Sequence, residues 1–491
     1  RQERSITPEN VRDFRQLWKR QVENETKSLT SLTAPIVVAG VETESGVRDL
    51  VYVAGSGDVV YALDAATGEP AWEVKFKLEV APRTEGFWLC PKGLNATPVA
   101  DKAKGLLYVL PSNGRLYALE LATGKERFRS MQMVPPYAKA WSLNLVGDRV
   151  YTSVAQNCGD TPSGVVMIDL SDPISYTVKT WRSARFAAGL WGRGGAIVGN
   201  DGLIYGATGD GDWNPAEHNY GQSVVAVDPV SLKLVDYFTP SNWDYVRQRD
   251  FDIGTSPVAF VYKNREYVAV GGKEGLVYLT EGASRGQQRM GGPTHHETAF
   301  TTPLIANEDE WFEAKGVWGG LSYWHDPADG RHWVYVPIWG PPASKGPSYP
   351  IRNGENPNGS VAAFTVEDNP QTGKPWLKPA WISGDFAVPE PVAIANGVVF
   401  ALSNGENARQ TIDAGKFDRE TFRREHLLLD DQRLAGGKLA VLRALDARTG
   451  KQLWEGPMLD AWTHFSGIAV AGGKVFAVDF DNKVYAFGLG R

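Results

Sequence analysis

One short phrase recurs along the chain and constrains its fold more than any other feature. The phrase is an apolar strand, an acidic residue, a Thr-Gly turn and then an aromatic residue. Its three clear copies are residues 60–68 closed by Trp72, residues 116–124 closed by Phe128, and residues 442–450 closed by Trp454. A phrase that returns every few tens of residues is the signature of a repeat fold. The sequence therefore predicts a chain built from similar, adjacent units.

Looser copies of this phrase fill the rest of the chain, at residues 165–169, 224–228, 276–280, 360–365 and 483–487. Together with the clear copies they indicate about eight units. Upstream of most copies lie short runs rich in Val, Tyr and Phe and bounded by Gly, Asn and Asp, which are typical of strands in hairpins. We therefore predict an all-β fold, an eight-bladed β-propeller of four-stranded antiparallel blades. The last strand is expected to close the ring by pairing with N-terminal strands near residues 34–38.

The spacing between copies widens in the second half of the chain. We expect a single domain over residues 1–491, with insertions near residues 282–311, 340–359 and 408–437. The last insertion is highly charged, which is typical of a solvent-exposed loop. A docking surface for a protein partner is the alternative.

Composition and charge exclude several classes of partner. The formal net charge is −6, so the chain lacks the excess of basic residues that is typical of nucleic-acid-binding proteins. No apolar run approaches the roughly 18–20 residues of a transmembrane segment. Because the first residue is Arg1 rather than Met, we expect that a signal peptide has been removed.

The chain has two cysteines, Cys90 and Cys158, and their distance in sequence leaves both free thiols and a disulfide open. No Cys-x-x-Cys-His motif occurs, so the sequence predicts no haem c. No cysteine cluster indicates zinc.

The Asp-x-x-Thr-Gly phrase with its closing Trp resembles the repeat of the pyrroloquinoline quinone (PQQ) β-propeller family. One branch of that family comprises quinoprotein alcohol dehydrogenases, including the polyvinyl-alcohol-dehydrogenase-like group. The other comprises non-catalytic assembly factors related to BamB. Every blade carries the phrase, so it does not separate the branches. The resemblance implies a periplasmic or extracellular location, and with it a disulfide between Cys90 and Cys158.

More specific matches follow the dehydrogenase branch. Residues 189–192 and 203–210 resemble the stretch that supplies the family's quinone-floor tryptophan and a metal-ligand asparagine. This resemblance implies that Trp191 stacks on a quinone and that Asp210 binds a metal. The later segment around Trp318 is similar to one that also contacts the quinone.

A second set of matches implies the catalytic groups. Residues 242–245 resemble the family's Trp-Asp-Tyr motif, whose aspartate is the catalytic base, so Asp244 takes that role and also ligates the metal. Lys273 lies where the family places a basic residue that touches the quinone. Asn157 is the expected third metal ligand, with Gln156 as the nearby alternative. The metal implied is calcium, which prefers oxygen ligands and polarises a carbonyl.

The chain departs from the dehydrogenase pattern at several positions. Cys90 is followed by Pro91, where the family has two adjacent cysteines. Val317 replaces an asparagine, and Gln156 and Asn157 stand near an expected glutamate. Val246 lies two residues after Asp244, where lanthanide-dependent members carry an acid, so a lanthanide is not indicated.

Two functional hypotheses follow. The first is a quinoprotein-type oxidoreductase that uses PQQ and calcium to oxidise an alcohol or related hydroxyl compound and passes electrons to an external acceptor. The second is a non-catalytic, BamB-like propeller that binds protein partners through its loops. The motif around Asp244 favours the enzyme, whereas Pro91 and Val317 favour the scaffold.

Overall fold

The chain forms eight sheets arranged as the blades of a propeller, antiparallel except where Ile351–Arg352 runs parallel to Pro375–Ile382. The structure, a computed structural model, describes residues 3–27, 29–78, 81, 90–311, 315–412 and 423–490. The strands of blades 1–4 are Ile36–Thr43, Gly46–Gly55, Val59–Asp64 and Pro70–Lys75; Val99–Asp101, Leu106–Val109, Arg115–Glu120 and Glu126–Gln132; Lys139–Ala140, Asn144–Val146, Arg149–Ala155, Gly164–Asp169 and Thr177–Arg182; and Ile197–Val198, Ile204–Ala207, Val224–Val227 and Leu234–Phe238. The strands of blades 5–8 are Val258–Tyr262, Arg265–Gly271, Val277–Glu281 and Phe300–Thr301; Gly316–Val317, Ser322–His325, His332–Trp339, Ile351–Arg352, Gly359–Asp368 and Pro375–Ile382; Ala393–Ala395, Val398–Ser403, Val441–Asp446 and Gln452–Met458; and Ile468–Ala471, Lys474–Val478, Lys483–Leu489 and Phe14–Gln21.

Regular structure outside the blades is sparse. Two small sheets pair Trp213–Asn214 with Asn219–Tyr220 and Thr255–Ser256 with Gly319–Gly320. The helices within the described residues are short: α-helices Trp243–Gln248 and Asp430–Leu434, and 3₁₀-helices Val11–Asp13, Cys158–Asp160, Pro215–Glu217, Gly292–Thr294 and Arg424–His426. None of them has the length and apolar character that a membrane crossing needs. The predicted insertion at 408–437 lies partly outside the described residues, at positions 413–422.

The ring is closed by strands from the two ends of the chain, as predicted. Phe14–Gln21 runs antiparallel to Lys483–Leu489, from the pair Phe14 and Leu489 to the pair Gln21 and Lys483. The expectation that residues 34–38 supply the closing strand is wrong. Ile36–Thr43 instead pairs with Gly46–Gly55 in blade 1. The closing strand lies before the first copy of the repeat phrase and does not carry it, which is why the repeat could not locate it.

Apolar side chains fill every interface between neighbouring blades. Eight buried clusters each combine residues of two adjacent blades, so that one cluster lies at each interface of the ring. The interface between blades 8 and 1 is built like the others, with Trp18 and Phe476 packed against Val51 and Tyr61. The core is therefore a closed circle of contacts, which confirms the eight-bladed propeller.

The recurring phrase holds neighbouring blades together. In blade 1, the Asp64 carboxylate accepts hydrogen bonds from the backbone N–H groups of Ala66 and Thr67 and so fixes the turn. The closing tryptophan then reaches the next blade: Trp72 Nε1 donates to the Leu121 carbonyl at 2.9 Å. The same bond recurs from Trp381 to Ala447, from Trp454 to Phe14 and from Trp18 to Ala65. The acidic residue and the tryptophan of the phrase are thus structural elements.

In the three clear copies of the phrase, a tryptophan of the preceding blade lies against the glycine. A Cβ atom at Gly450, where φ is +70°, would lie 2.3 Å from the Trp381 ring. Gly373 occupies the same turn position in blade 6 with a φ of +68°, but no atom lies within 4 Å of its Cβ position. The two glycines therefore share the backbone conformation and differ in packing.

This difference predicts unequal costs for the same substitution. We expect Gly373→Ala to lower the free energy of unfolding by about 1–2 kcal/mol, the cost of a left-handed alanine. Gly450→Ala adds overpacking against Trp381, about 1–3 kcal/mol more. Urea denaturation of both variants measures the difference. Equal losses would contradict the assignment of this glycine to the contact between blades.

Candidate active site

A cavity of about 480 Å³ opens where segments from all around the ring meet. Its lining comes from residues in or next to every blade, among them Lys139 of blade 3, Lys273 of blade 5 and His464 between blades 7 and 8. Because the blades surround a common axis, the cavity lies on that axis. Its volume falls in the range of small-molecule sites, about 300–1,000 Å³.

Three aspartates and a lysine converge on one wall of this cavity. One carboxylate oxygen from each of Asp210, Asp250 and Asp252 lies within 4.8 Å of the others. Lys273 Nζ contacts Asp250 Oδ2 at 2.9 Å and Asp252 Oδ2 at 3.3 Å. The other oxygen of Asp252 accepts hydrogen bonds from the Asp210 backbone N–H and from Gln222. The four side chains therefore form one connected cluster, which we call the acidic cluster.

Local backbone geometry brings this cluster together. Asp210 directly follows Gly209 and has a left-handed φ of +55°. A Cβ at Gly209 would lie 2.8 Å from the Asp252 side chain and 3.1 Å from Trp191. Because Gly209 has no side chain, Asp252 and the Trp191 ring can both pack against the backbone at this position.

The three carboxyl groups of the acidic cluster differ in proton affinity, because burial is offset to different extents by neighbouring charges and hydrogen bonds. Burial raises the pKa of Asp210 to about 6, and the negative charge of Asp252 adds to the effect. Burial also raises the pKa of Asp250 well above its ordinary range, although the Lys273 ammonium opposes the shift. Burial opposes ionisation of Asp252 as well, but Lys273 and the hydrogen bonds that Asp252 accepts hold its pKa below the ordinary value. Asp252 is therefore the most firmly ionised member of the cluster.

The predicted metal ligand Asn157 faces away from this cluster. Its Oδ1 accepts hydrogen bonds from the Ala187 backbone N–H and from Ser163. Its neighbour Gln156 reaches the cluster instead, since Gln156 Nε2 donates to Asp210 Oδ2 at 2.9 Å. Both residues have left-handed φ angles at the end of a blade 3 strand, a detail that motif spacing does not predict.

The predicted base Asp244 lies outside the described cavity lining. It belongs to the helix Trp243–Gln248, and its side chain is 50% exposed. Arg247 and Gln248 donate hydrogen bonds to its two carboxylate oxygens. The structure thus separates Asp244 from the acidic cluster, whereas Arg247 does line the cavity. Asp250 and Asp252 were not among the predicted residues, although they form an Asp-x-Asp pair just downstream of the motif around Asp244.

Aromatic rings form the flat surfaces of the cavity. Trp191 and Trp318, the two tryptophans predicted to contact a cofactor, both line the cavity. The contact with a cofactor itself stays a prediction. The Trp318 ring stacks on Trp339 at 4.9 Å with an angle of 6°, and Lys273 Nζ lies 5.1 Å from the Trp318 centroid. Trp191 lies 6.0 Å from Trp141. Its Nε1 is buried and has no hydrogen-bond partner among the described residues.

A disulfide borders the same cavity. Cys90 and Cys158 are bonded, with an S–S distance of 2.04 Å. Cys90 and the following Pro91 line the cavity, while Cys158 follows Asn157 at the end of a blade 3 strand. The bond therefore ties the segment before blade 2 to blade 3 beside the site.

The side chains present suit the groups that the resemblance implies. The acidic cluster offers only oxygen ligands, the chemistry that a hard cation such as calcium prefers. The Trp191 Nε1 atom and the buried Lys139 ammonium have no acceptor among the described residues. A carboxylate on the edge of a flat ring would satisfy the Lys139 ammonium. The lining thus fits PQQ and a calcium ion in the chemistry of its donors.

Comparisons with known proteins agree with the fold. A family model described as outer membrane protein assembly factor BamB matches residues 5–172. The 1-butanol dehydrogenase (cytochrome c) of Thauera butanivorans is 23% identical over 513 residues, covering 92% of this chain and 68% of that protein. The quinohemoprotein alcohol dehydrogenase of Comamonas testosteroni is 33% identical over 121 residues, 25% of this chain and 15% of that protein.

A solved structure extends the likeness along the whole chain. The crystal structure of quinohemoprotein alcohol dehydrogenase from Comamonas testosteroni superposes with a TM-score of 0.56 at 15% identity. It covers 99% of this chain and 78% of that chain, and at this identity it supports the fold alone. The chain is an eight-bladed β-propeller whose first third matches that family model, and its sequence is similar to those of quinoprotein alcohol dehydrogenases, as the resemblance of its repeat phrase predicts.

Proposed function

We propose that this chain is a quinoprotein-type oxidoreductase that oxidises an alcohol or related hydroxyl compound. The observation that carries the proposal is the acidic cluster beside Trp191 in the axial cavity. Relatives named as 1-butanol dehydrogenase and quinohemoprotein alcohol dehydrogenase support it. When bound, PQQ supplies the hydride acceptor and calcium the Lewis acid.

The residues of the acidic cluster divide the remaining work. Asp252 and Asp210 are the proposed cation ligands, because Asp252 is firmly ionised and Gln156 orients Asp210. Asp250 is the proposed base that takes the hydroxyl proton at its carboxylate, with Lys273 beside it at 2.9 Å. Asp244 is less suited to that role, since its carboxylate is half-exposed and held by Arg247.

Lys273 balances the charge of the cluster. Its ammonium faces three carboxylates, and their charges outweigh the effect of burial and raise its pKa. It therefore stays protonated, and it can stabilise negative charge that develops on a ring oxygen. Trp191 is proposed as the apolar surface on which the ring stacks.

Export to the periplasm or the extracellular space completes the proposal. A disulfide such as Cys90–Cys158 persists in oxidising compartments. The alcohol and an external electron acceptor are the proposed reaction partners. The absence of haem c stays a prediction.

Reconstitution tests the proposed function directly. We expect the purified chain, incubated with PQQ and calcium, to show a changed quinone absorbance and to reduce a dye when 1-butanol is added. The matched control is the same mixture with calcium chelated, in which dye reduction should fall to background. Failure to bind PQQ at saturating cofactor would contradict the proposal.

A non-catalytic scaffold is the second candidate function. The BamB match over residues 5–172 favours it, as does Pro91 in place of a second adjacent cysteine. A scaffold predicts no quinone binding in the reconstitution experiment. The same assay therefore separates the two candidates.

A further inference from the structure

We propose that Lys139 is a ligand-binding residue whose ammonium pairs with a carboxylate of the flat ring bound over Trp191. This inference rests on the proposed function and deepens it, because it assigns the acidic substituent of the cofactor to a group outside the acidic cluster. It follows from the position, the surroundings and the lack of a partner of this one side chain.

The position of Lys139 aims its ammonium into the axial cavity. The residue opens blade 3 on the short strand Lys139–Ala140, where it pairs with Ala155, the neighbour of Gln156. Only 8% of its surface is exposed, yet its side chain lines the cavity. Its Nζ lies 4.6 Å from the Trp191 centroid and 5.4 Å from the Trp141 centroid.

Lys139 lacks the acceptor that its neighbours have. Among the described residues, no carboxylate lies within ion-pair distance of its ammonium and no oxygen accepts a hydrogen bond from it. The other buried cations of the lining are partnered: Lys273 by Asp250, Arg433 by Glu406, and Arg193 by the His464 carbonyl. A buried ammonium without an acceptor is costly, so an anionic ligand here would be bound strongly.

The electrostatics agree with this geometry. Burial lowers the pKa of Lys139 to about 7, and the charge that opposes this shift is that of Asp210, which is itself engaged by Gln156. A carboxylate brought beside the ammonium would favour its charged form. The negative charges of the acidic cluster repel such a group, so we expect the acidic edge of a bound ring to lie beside Lys139 and not beside the aspartates.

The contact between Lys139 and Trp191 determines which group must move when the ligand binds. The ammonium lies over the indole face, and a ring that stacks on that face requires the ammonium to move to the ring's edge. Carboxylates project from ring edges, and the flexible four-carbon stem of lysine permits this shift. The ligand thus replaces a cation–π contact by stacking and an ion pair.

The experiment compares two probes on two variants. Calorimetric titration with PQQ and with its trimethyl ester, both with calcium present, measures binding without turnover. We expect Lys139→Met to weaken PQQ binding by about 10- to 100-fold, the usual loss for a buried charged hydrogen bond. Binding of the uncharged ester should stay the same, and Lys139→Arg should recover much of the PQQ affinity.

Lys315→Met is the matched control. Lys315 also lies over an indole, 4.5 Å from the Trp311 centroid, but Asp309 pairs with it and it does not line the described cavity. Its replacement should leave both affinities unchanged. Thermal unfolding checks that Lys139→Met remains folded.

The outcomes separate this inference from the proposed function. If the unmodified chain binds neither probe, the proposed function fails and the inference falls with it. If Lys139→Met binds PQQ as tightly as the unmodified chain, Lys139 is not the carboxylate partner, although the chain remains a quinone binder. Equal losses for PQQ and the ester would show a merely structural role and would also overturn the inference.

Discussion

Replacing Asp250 by asparagine is expected to lower kcat of the PQQ- and calcium-loaded chain by about 10²–10⁴-fold, the usual contribution of a positioned base. The amide keeps the size of the carboxyl group but cannot accept the hydroxyl proton. Asp250 lines the axial cavity and lies 2.9 Å from Lys273. Dye-coupled oxidation under saturating alcohol measures the loss.

Asp244→Asn is the informative control for this variant. Both changes remove one carboxylate within the same short segment, but Asp244 is half-exposed and outside the described lining. We expect its kcat to stay within about threefold of the unmodified chain, as for a surface change. A large loss in Asp244→Asn, with activity retained in Asp250→Asn, would return the role of base to Asp244.

Replacing Lys273 by methionine is expected to cause the largest loss of stability. The change leaves three buried carboxylates without their counter-charge, and breaking a buried ion pair costs about 3–5 kcal/mol. Urea denaturation of the cation-free protein at pH 7.5 measures this loss. Lys104→Met is the control, because the Lys104–Asp148 pair is solvent-exposed and its removal should cost less than about 1 kcal/mol.

The loss in Lys273→Met should shrink as the pH falls. A carboxyl group whose folded pKa is raised contributes stability at low pH that is lost as the pH rises through that pKa. The pKa of Asp210 is about 6 even with Lys273 present, and removal of the ammonium raises it further. The deficit at pH 5.5 is therefore expected to be smaller than at pH 7.5. An equal deficit at both values would show that the three aspartates are not the cause.

The fold was predictable from sequence because the residues of the repeated Asp-x-x-Thr-Gly phrase and its closing tryptophan make the contacts between neighbouring blades. The turn aspartate, the glycine and the tryptophan all take part in that contact, as the bond from Trp72 to Leu121 shows. Their repetition therefore gave the ring and the number of blades. The closing strand escaped prediction because Phe14–Gln21 contributes its tryptophan without the rest of the phrase.

The site was predictable only in part, for a physical reason. Asp210, Lys273 and Trp318 line one cavity because they follow blade strands whose direction the repeat determines, and the bridge between Leu190 and Thr208 brings Trp191 to the same place. Asn157 depends on successive left-handed residues that reverse its side chain, and motif spacing contains no information about such turns. Lys139 belongs to no motif. Its proposed role follows from the absence of an acceptor for its ammonium among the described residues, which only the structure reveals.

Closure of the ring by Phe14–Gln21 and Lys483–Leu489 also determines when the protein can finish folding. At a synthesis rate of about 5–20 residues per second, the first strand of blade 8 waits tens of seconds for the others. Until they arrive, its ladder edge and the Phe14 side chain lack their partners in blades 7 and 8, whereas Trp18 can already pack against blade 1. Pairing of such distant segments is intrinsically slow, and the waiting edge is prone to aggregate. The axial cavity draws its lining from the whole ring, so a nascent chain acquires its ligand-binding ability only in this last step.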